Sequence, residues 1–126
     1  MMDFLLQRNA NPEEIRSALA AFYHAKRRLD LESWVENENY HTIALTGDVA
    51  LLLSVYDNSN DELALARYLA HTLRMKLIIS DYSINPYTWI LIDEEGKQHP
   101  IYQDTAEQPE NTFVVDSRHK HLLQLE

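Results

Sequence analysis

The hydrophobic period of this chain switches twice from helical to alternating, and that switching limits it to a mixed domain of helices and sheet. Ile15, Ala18, Leu19, Phe22, Ala25 and Leu29 fall at helical spacing and leave one stripe for burial. Asn11 can cap this helix, Pro12 suits its first position, and Glu14 stands three residues after the cap, where a capping-box acid belongs. Lys26, Arg27 and Arg28 close it by complementing the negative end of the helix dipole. A second helix is expected from about Asp61 to Arg74, with Leu65, Tyr68 or Leu69, and Thr72 or Leu73 in its stripe, Leu63 and Ala66 beside it, and Ser59 and Glu62 spaced as a capping box.

Between and after the helices the period is two. Residues 33–37 and 40–45 read as strands, and Val49, Leu51, Leu53 and Val55 share one face of a strand over 49–56. The short link through Thr46, Gly47 and Asp48 predicts an antiparallel hairpin. Residues 76–80, 87–93 and 97–103 supply three more strands, the last at an edge because Pro100 cannot donate to a ladder. A polar connector then leads to a short strand over 113–115. The expected order is α-β-β-β-α-β-β-β, an α+β fold with two principal helices on one face of a mainly antiparallel sheet. One domain spans residues 1–126, with 1–10 as a tail or short helix and 117–126 as a helical turn or tail.

Composition narrows the function. Twenty acidic residues against 11 Lys plus Arg give a formal net charge of -9, which opposes nucleic acids and anionic membranes. Gly47 and Gly96 are the two glycines of the chain, too few for a phosphate-cradling loop. With no cysteine there is neither disulfide nor thiol nucleophile, and no signal peptide or membrane-spanning run is visible, so a cytoplasmic location is expected. The charge is also segregated. Residues 29–66 hold eight acids and no Lys or Arg, and residues 77–117 hold eight acids and one lysine, Lys97. If both helices share one face of the sheet, the other face and its turns form an acidic surface. Tyr40 and Tyr56 are expected on that open face, and tyrosines among carboxylates suit the binding of a basic protein.

Catalysis finds little support. His24, His41, His71 and His99 lie on different elements, and His119 and His121 flank Lys120 near the end of the chain, so no metal site is expected. The run from Asp57 to Glu62 lacks the glycine and the distal acid of a calcium loop. No nucleophile elbow is present, and an acid-base pair of His41 and His99 would stand in surroundings that repel a phosphodiester. Neither an enzymatic activity nor a cofactor is expected.

The stretch DYSINPYTWILIDEEG over 81–96, set in a small, acidic, cysteine-free α+β domain, resembles the immunity proteins of bacterial polymorphic and contact-dependent toxin systems. The resemblance implies a non-enzymatic protein that binds a cognate toxin domain, a basic nuclease being the expected kind, and occupies its cationic cleft. It carries no family residues across. The expected contacts come from charge and ring placement: Asp57, Asp81, Tyr82, Glu94, Glu95 and Asp104 on loops, and Tyr40, Tyr56 and Tyr102 on the sheet. The alternatives are an acidic secretion chaperone that holds an effector along apolar grooves, and a small histidine-based acid-base enzyme. A homodimer is compatible with each.

Overall fold

A computed structural model describes residues 1–25 and 40–123. The chain runs β1 (Met2–Leu6), α1 (Pro12–Ala25), β2 (Tyr40–Ala44), β3 (Thr46–Gly47), β4 (Leu51–Val55), α2 (Glu62–Leu73), β5 (Leu77–Ser80), β6 (Thr88–Ile92), β7 (Gln98–Tyr102), β8 (Thr112–Phe113) and a 3-10 turn (Lys120–Leu122). Lys26, Arg27 and Arg28, expected to close the first helix, the strand expected over 33–37 and the final residues 124–126 lie outside the described residues, as does Leu29.

Six strands form one sheet in the order β2-β4-β1-β5-β6-β7, and every neighbouring pair in it is antiparallel. The fold is therefore α+β with a mainly antiparallel sheet, as the periodicity predicts. The largest correction concerns the start of the chain. Where a tail or short helix is expected, β1 lies inside the sheet, paired on one side with β4 and on the other with β5. Its alternation is hidden because Met2, Phe4 and Leu6 are buried on one face while Leu5 is buried on the other. A strand covered on both sides reads as a continuous apolar run.

Both helices pack on the face that carries Phe4, Leu6, Leu53, Val55, Leu77 and Ile79. Helix α1 contributes Ile15, Ala18, Leu19, Phe22 and Tyr23 to this core, and α2 contributes Leu65, Ala66, Leu69, Ala70 and Leu73. The expected N-terminal cap of α1 is present: the Glu13 amide donates to Asn11 Oδ1 at 2.8 Å, and the Asn11 amide reaches Glu14 Oε1 at 3.4 Å. The Ser59–Glu62 capping box is absent. Asp61 occupies the cap position without a side-chain capping bond, and Ser59 instead donates to Asp57 through both its amide and its hydroxyl.

The second face of the sheet is half covered by the C-terminal segment. Leu5, Ile78, Leu91 and Ile101 pack there with Val49, Phe113, Val115 and Leu123. The segment is fixed at several points: β8 pairs in parallel with β3, Gln103 bridges Val115, and the Val115 amide donates to Asp48 Oδ2 at 2.8 Å. Gly47 makes the closest approach possible. Its φ is +96°, and a Cβ built on it would stand 2.2 Å from the Phe113 carbonyl oxygen, so no other residue fits without moving the backbone. Val49, expected beside Leu51 and Leu53, belongs to this second core instead.

Candidate functional site

Among the described residues the cover on the second face ends one row short of the end of strands β2, β4, β1 and β5. Strand register places His41 opposite Ser54, Ser54 opposite Asp3, and Ser80 opposite Trp89. Extending the pairing of Leu5 with Ile78 by two residues brings Asp3 beside Ser80. On β2, β4, β1 and β5 this row is polar, and Ser54 Oγ donates to Asp3 Oδ1 at 2.6 Å; on β6 and β7 it continues through Trp89, whose ring packs edge-on against Phe113 at 5.3 Å, to the buried Ile101. A cavity of about 250 Å³ opens here between Met1, Asp3, Glu62, Ser80, Tyr82 and Trp89. A second hollow of about 470 Å³ adjoins it over residues 57–60, and Glu62 and Tyr82 line both.

Glu62 reaches the site because α2 begins at the end of the strands, and Tyr82 reaches it from the loop between β5 and β6. The Tyr82 hydroxyl donates to Glu62 Oε1 at 2.8 Å, and its amide donates to Ser80 Oγ at 3.0 Å. Its φ of +57° is left-handed, a conformation that costs a non-glycine residue about 1 kcal/mol or more. Partial burial pushes the Glu62 carboxyl above its ordinary range; the Tyr82 hydroxyl pulls it back, the nearby Asp3 charge pushes it further up, and the Met1 ammonium lowers it again. Burial, then the bond to Glu62 and the two negative charges, push the Tyr82 phenol up to about 12. No lysine or arginine is among the described residues lining the 250 Å³ cavity; the positive group present is the Met1 ammonium, which donates to Asn58 Oδ1, against the carboxylates of Asp3 and Glu62. The site can therefore take a cationic group between carboxylates and aromatic rings.

The loop that carries Tyr82 is held by its own polar atoms. The Ser83 amide donates to Asp81 Oδ1 at 3.0 Å and the Tyr87 amide to Asn85 Oδ1 at 2.9 Å. The Ser83 and Thr88 hydroxyls share a bond of 2.6 Å, and Thr88 Oγ1 also donates to the Asn85 carbonyl at 3.1 Å. Hydrogen bonds from Thr88 and from the Ser83 amide hold the Asp81 carboxyl below the usual carboxylate range. On this frame Tyr82 is 73% exposed, Tyr87 is 40% exposed and Ile84 is fully exposed.

The nine expected contact residues do not form one surface. Asp81 and Tyr82 belong to the site, and Tyr56 lies near it on the second face, with its hydroxyl bonded to His41 Nδ1. Tyr40 is a correction: it opposes Val55, faces the helices and packs half-buried against their core, so it does not share the face of Tyr56. Asp57 is buried, accepts from the Tyr23 hydroxyl at 2.8 Å and organises the turn into α2, so it is a structural group. Glu94 is held by Lys76 at 3.1 Å, and Glu95 lies 3.7 Å from Lys97, on the turn between β6 and β7. Tyr102 stacks on His119 with the Arg118 guanidinium 5.5 Å from its ring centroid, and Asp104 accepts the Ala106 amide at 2.8 Å. Those groups are engaged within the fold.

Histidine chemistry is not assembled either. His41 on β2 and His99 on β7 sit at opposite edges of the sheet, roughly 24 Å apart at about 4.8 Å per strand. His99 Nε2 lies 2.9 Å from Asp93 Oδ2. Among the described residues no three His, Asp or Glu side chains are grouped so as to hold a metal ion.

Asp3, Glu62, Ile84, Tyr87 and Trp89 are the site residues that the sequence reading misses. Asp3 is signalled by being the lone charge within an apolar run, and Glu62 was accounted for as a helix cap. Comparison of the chain with protein-family models, with curated proteins and with solved structures gives no match.

Proposed function

We propose that this protein is a non-enzymatic immunity protein that binds a basic bacterial toxin domain, a nuclease by preference, and neutralises it. The observation that supports this reading most is the end of the sheet around Tyr82. There, carboxylates of Asp3 and Glu62 and rings of Tyr82 and Trp89 line one cleft without a lysine or arginine among its described lining residues. Such a surface would attract a cationic domain at long range and bury its rings on contact. The overall charge of -9 adds to the steering.

The test is protection of growing cells. The toxin domain encoded beside this gene is expressed alone, with the wild-type protein, and with a Glu62→Lys variant. Wild type should restore growth, and the variant should bind at least about 10-fold more weakly, with the difference shrinking as salt is raised. Failure of the wild-type protein to protect, or an association indifferent to salt, would overturn the reading. Glu95→Lys should leave protection intact, since this turn is remote from the cleft and already balanced by Lys97.

A further inference from the structure

We propose that Ile84, flanked by Tyr82 and Tyr87 at the tip of the loop between β5 and β6, is a convex anchor that seats in an apolar pocket of a folded, basic protein partner. The proposal rests on the immunity reading and specifies the surface by which the partner is held.

Ile84 is fully exposed and does nothing for the core of its own domain. Single exposed aliphatic residues are common and require no explanation. This one differs in its company and in its support. Two tyrosines, 73% and 40% exposed, stand within three residues of it. The backbone beneath is fixed by the Asp81, Ser83, Asn85 and Thr88 bonds, so the tip is already ordered before a partner arrives. An anchor ordered in advance avoids the entropy loss that a floppy loop would suffer on binding. Large rings around a central aliphatic group, on a rigid support, are the composition of an interface hot spot.

Shape and charge select the occupant. The tip projects, so the partner must supply the concavity, which a folded domain with a cleft does and an extended client peptide does not. From residue 77 to residue 92 the chain has one charged side chain, Asp81. Asp81 stands beside the tip, and Glu62 lies under the Tyr82 ring. The pocket that takes Ile84 is therefore expected to have a rim of lysine or arginine. The same carboxylates oppose an anionic lipid surface, the other apolar environment into which an exposed isoleucine could pass.

The experiment uses the full chain and the toxin domain named above, with affinity and dissociation rate measured for wild type, Ile84→Leu and Ile84→Ser. Ile84→Ser should unfold at the same temperature as wild type, because the side chain has no internal packing to lose. It should bind roughly 30- to 100-fold more weakly, mainly through faster dissociation, while Ile84→Leu stays within about 5-fold. A complex of wild-type strength with Ile84→Ser overturns the anchor and leaves the immunity reading standing. Absence of any complex with wild type overturns both. Two further results would overturn the anchor in favour of other occupants: wild-type protein floating with anionic phosphatidylglycerol vesicles, or forming a dimer by light scattering, when Ile84→Ser does neither.

Discussion

The two faces of the six-stranded sheet are buried by different means, and the site lies where one of those means runs out. On one face, two helices cover the length of the strands and bury Phe4, Leu6, Leu53, Val55, Leu77 and Ile79 together. On the other, an extended segment covers the row of Leu5, Ile78 and Leu91 and, on β6 and β7, part of the next row at Trp89 and Ile101. A helix with its side chains is about 10 Å wide, whereas a strand occupies about 5 Å, so a single extended segment cannot shield every row of a sheet. Among the described residues the row that the segment leaves is built from His41, Ser54, Asp3 and Ser80, with Ser54 kept buried by its bond to Asp3 and with Trp89, under Phe113, at the boundary of the cover. The contrast teaches that the cleft is a consequence of incomplete cover, with polar residues placed where the apolar lid ends.

The comparison breaks most visibly in the helix-covered core. Phe4 is fully buried on the central strand β1, so Phe4→Ala removes a ring from the middle of that layer. The expected loss is about 3–5 kcal/mol, read as a lower denaturant midpoint with an unchanged slope. A loss below about 1 kcal/mol would mean that the helix face does not dominate the stability. The lid on the other face should be weaker and should open by itself. In Gly47→Ala the new Cβ meets the Phe113 carbonyl at 2.2 Å in a left-handed backbone, so β3 and β8 must part. About 1–3 kcal/mol is expected. Hydrogen exchange separates the two layers. The Thr46 and Asp48 amides, bonded to Asn111 and Phe113, should lose protection while α1 and α2 keep theirs. Equal loss everywhere would show that lid and helix layer unfold as one unit.

Much of the helix layer is legible from residues alone, because each helix has one buried side and the stripe of Ile15, Leu19 and Phe22, or of Leu65, Leu69 and Leu73, repeats without interference. Pro100 likewise marks β7 as an edge. The other layer is less legible for a physical reason. Phe113 to Val115 reads as a short strand after a polar connector, but nothing local says that it folds back over the sheet and pairs in parallel with β3. The same blindness hides β1, whose residues are apolar towards both layers. For the site, Tyr82 and Asp81 can be chosen from charge and ring placement, but availability cannot. Glu94 looks as free as Asp81 in the sequence, and its partner Lys76 lies 18 residues away on the far side of a hairpin. A carboxylate counted in a sequence becomes a binding group only if the fold leaves it without a cation of its own.

The smallest of the expected effects tests the electrostatics of the uncovered row directly. Tyr82 is the one tyrosine of the seven whose hydroxyl donates to Glu62, and its phenol is pushed up to about 12 from an ordinary 10.0. Its proton is therefore held more tightly in the folded state than in the unfolded one. The corresponding stability is fully present below the unfolded value and is lost as pH rises from about 10 to about 12. Phenolate absorbance compared between wild type and Tyr82→Phe should show one late-titrating step that the variant lacks. Glu62→Gln removes the charge and the acceptor carboxylate while keeping an amide oxygen, so the late step should move back towards 10 without disappearing. Stability measured across the same interval should fall less steeply in both variants than in wild type. An unchanged late step in Glu62→Gln would mean that burial alone raises Tyr82, and the cleft would then lack the negative potential that distinguishes the open row from the covered one.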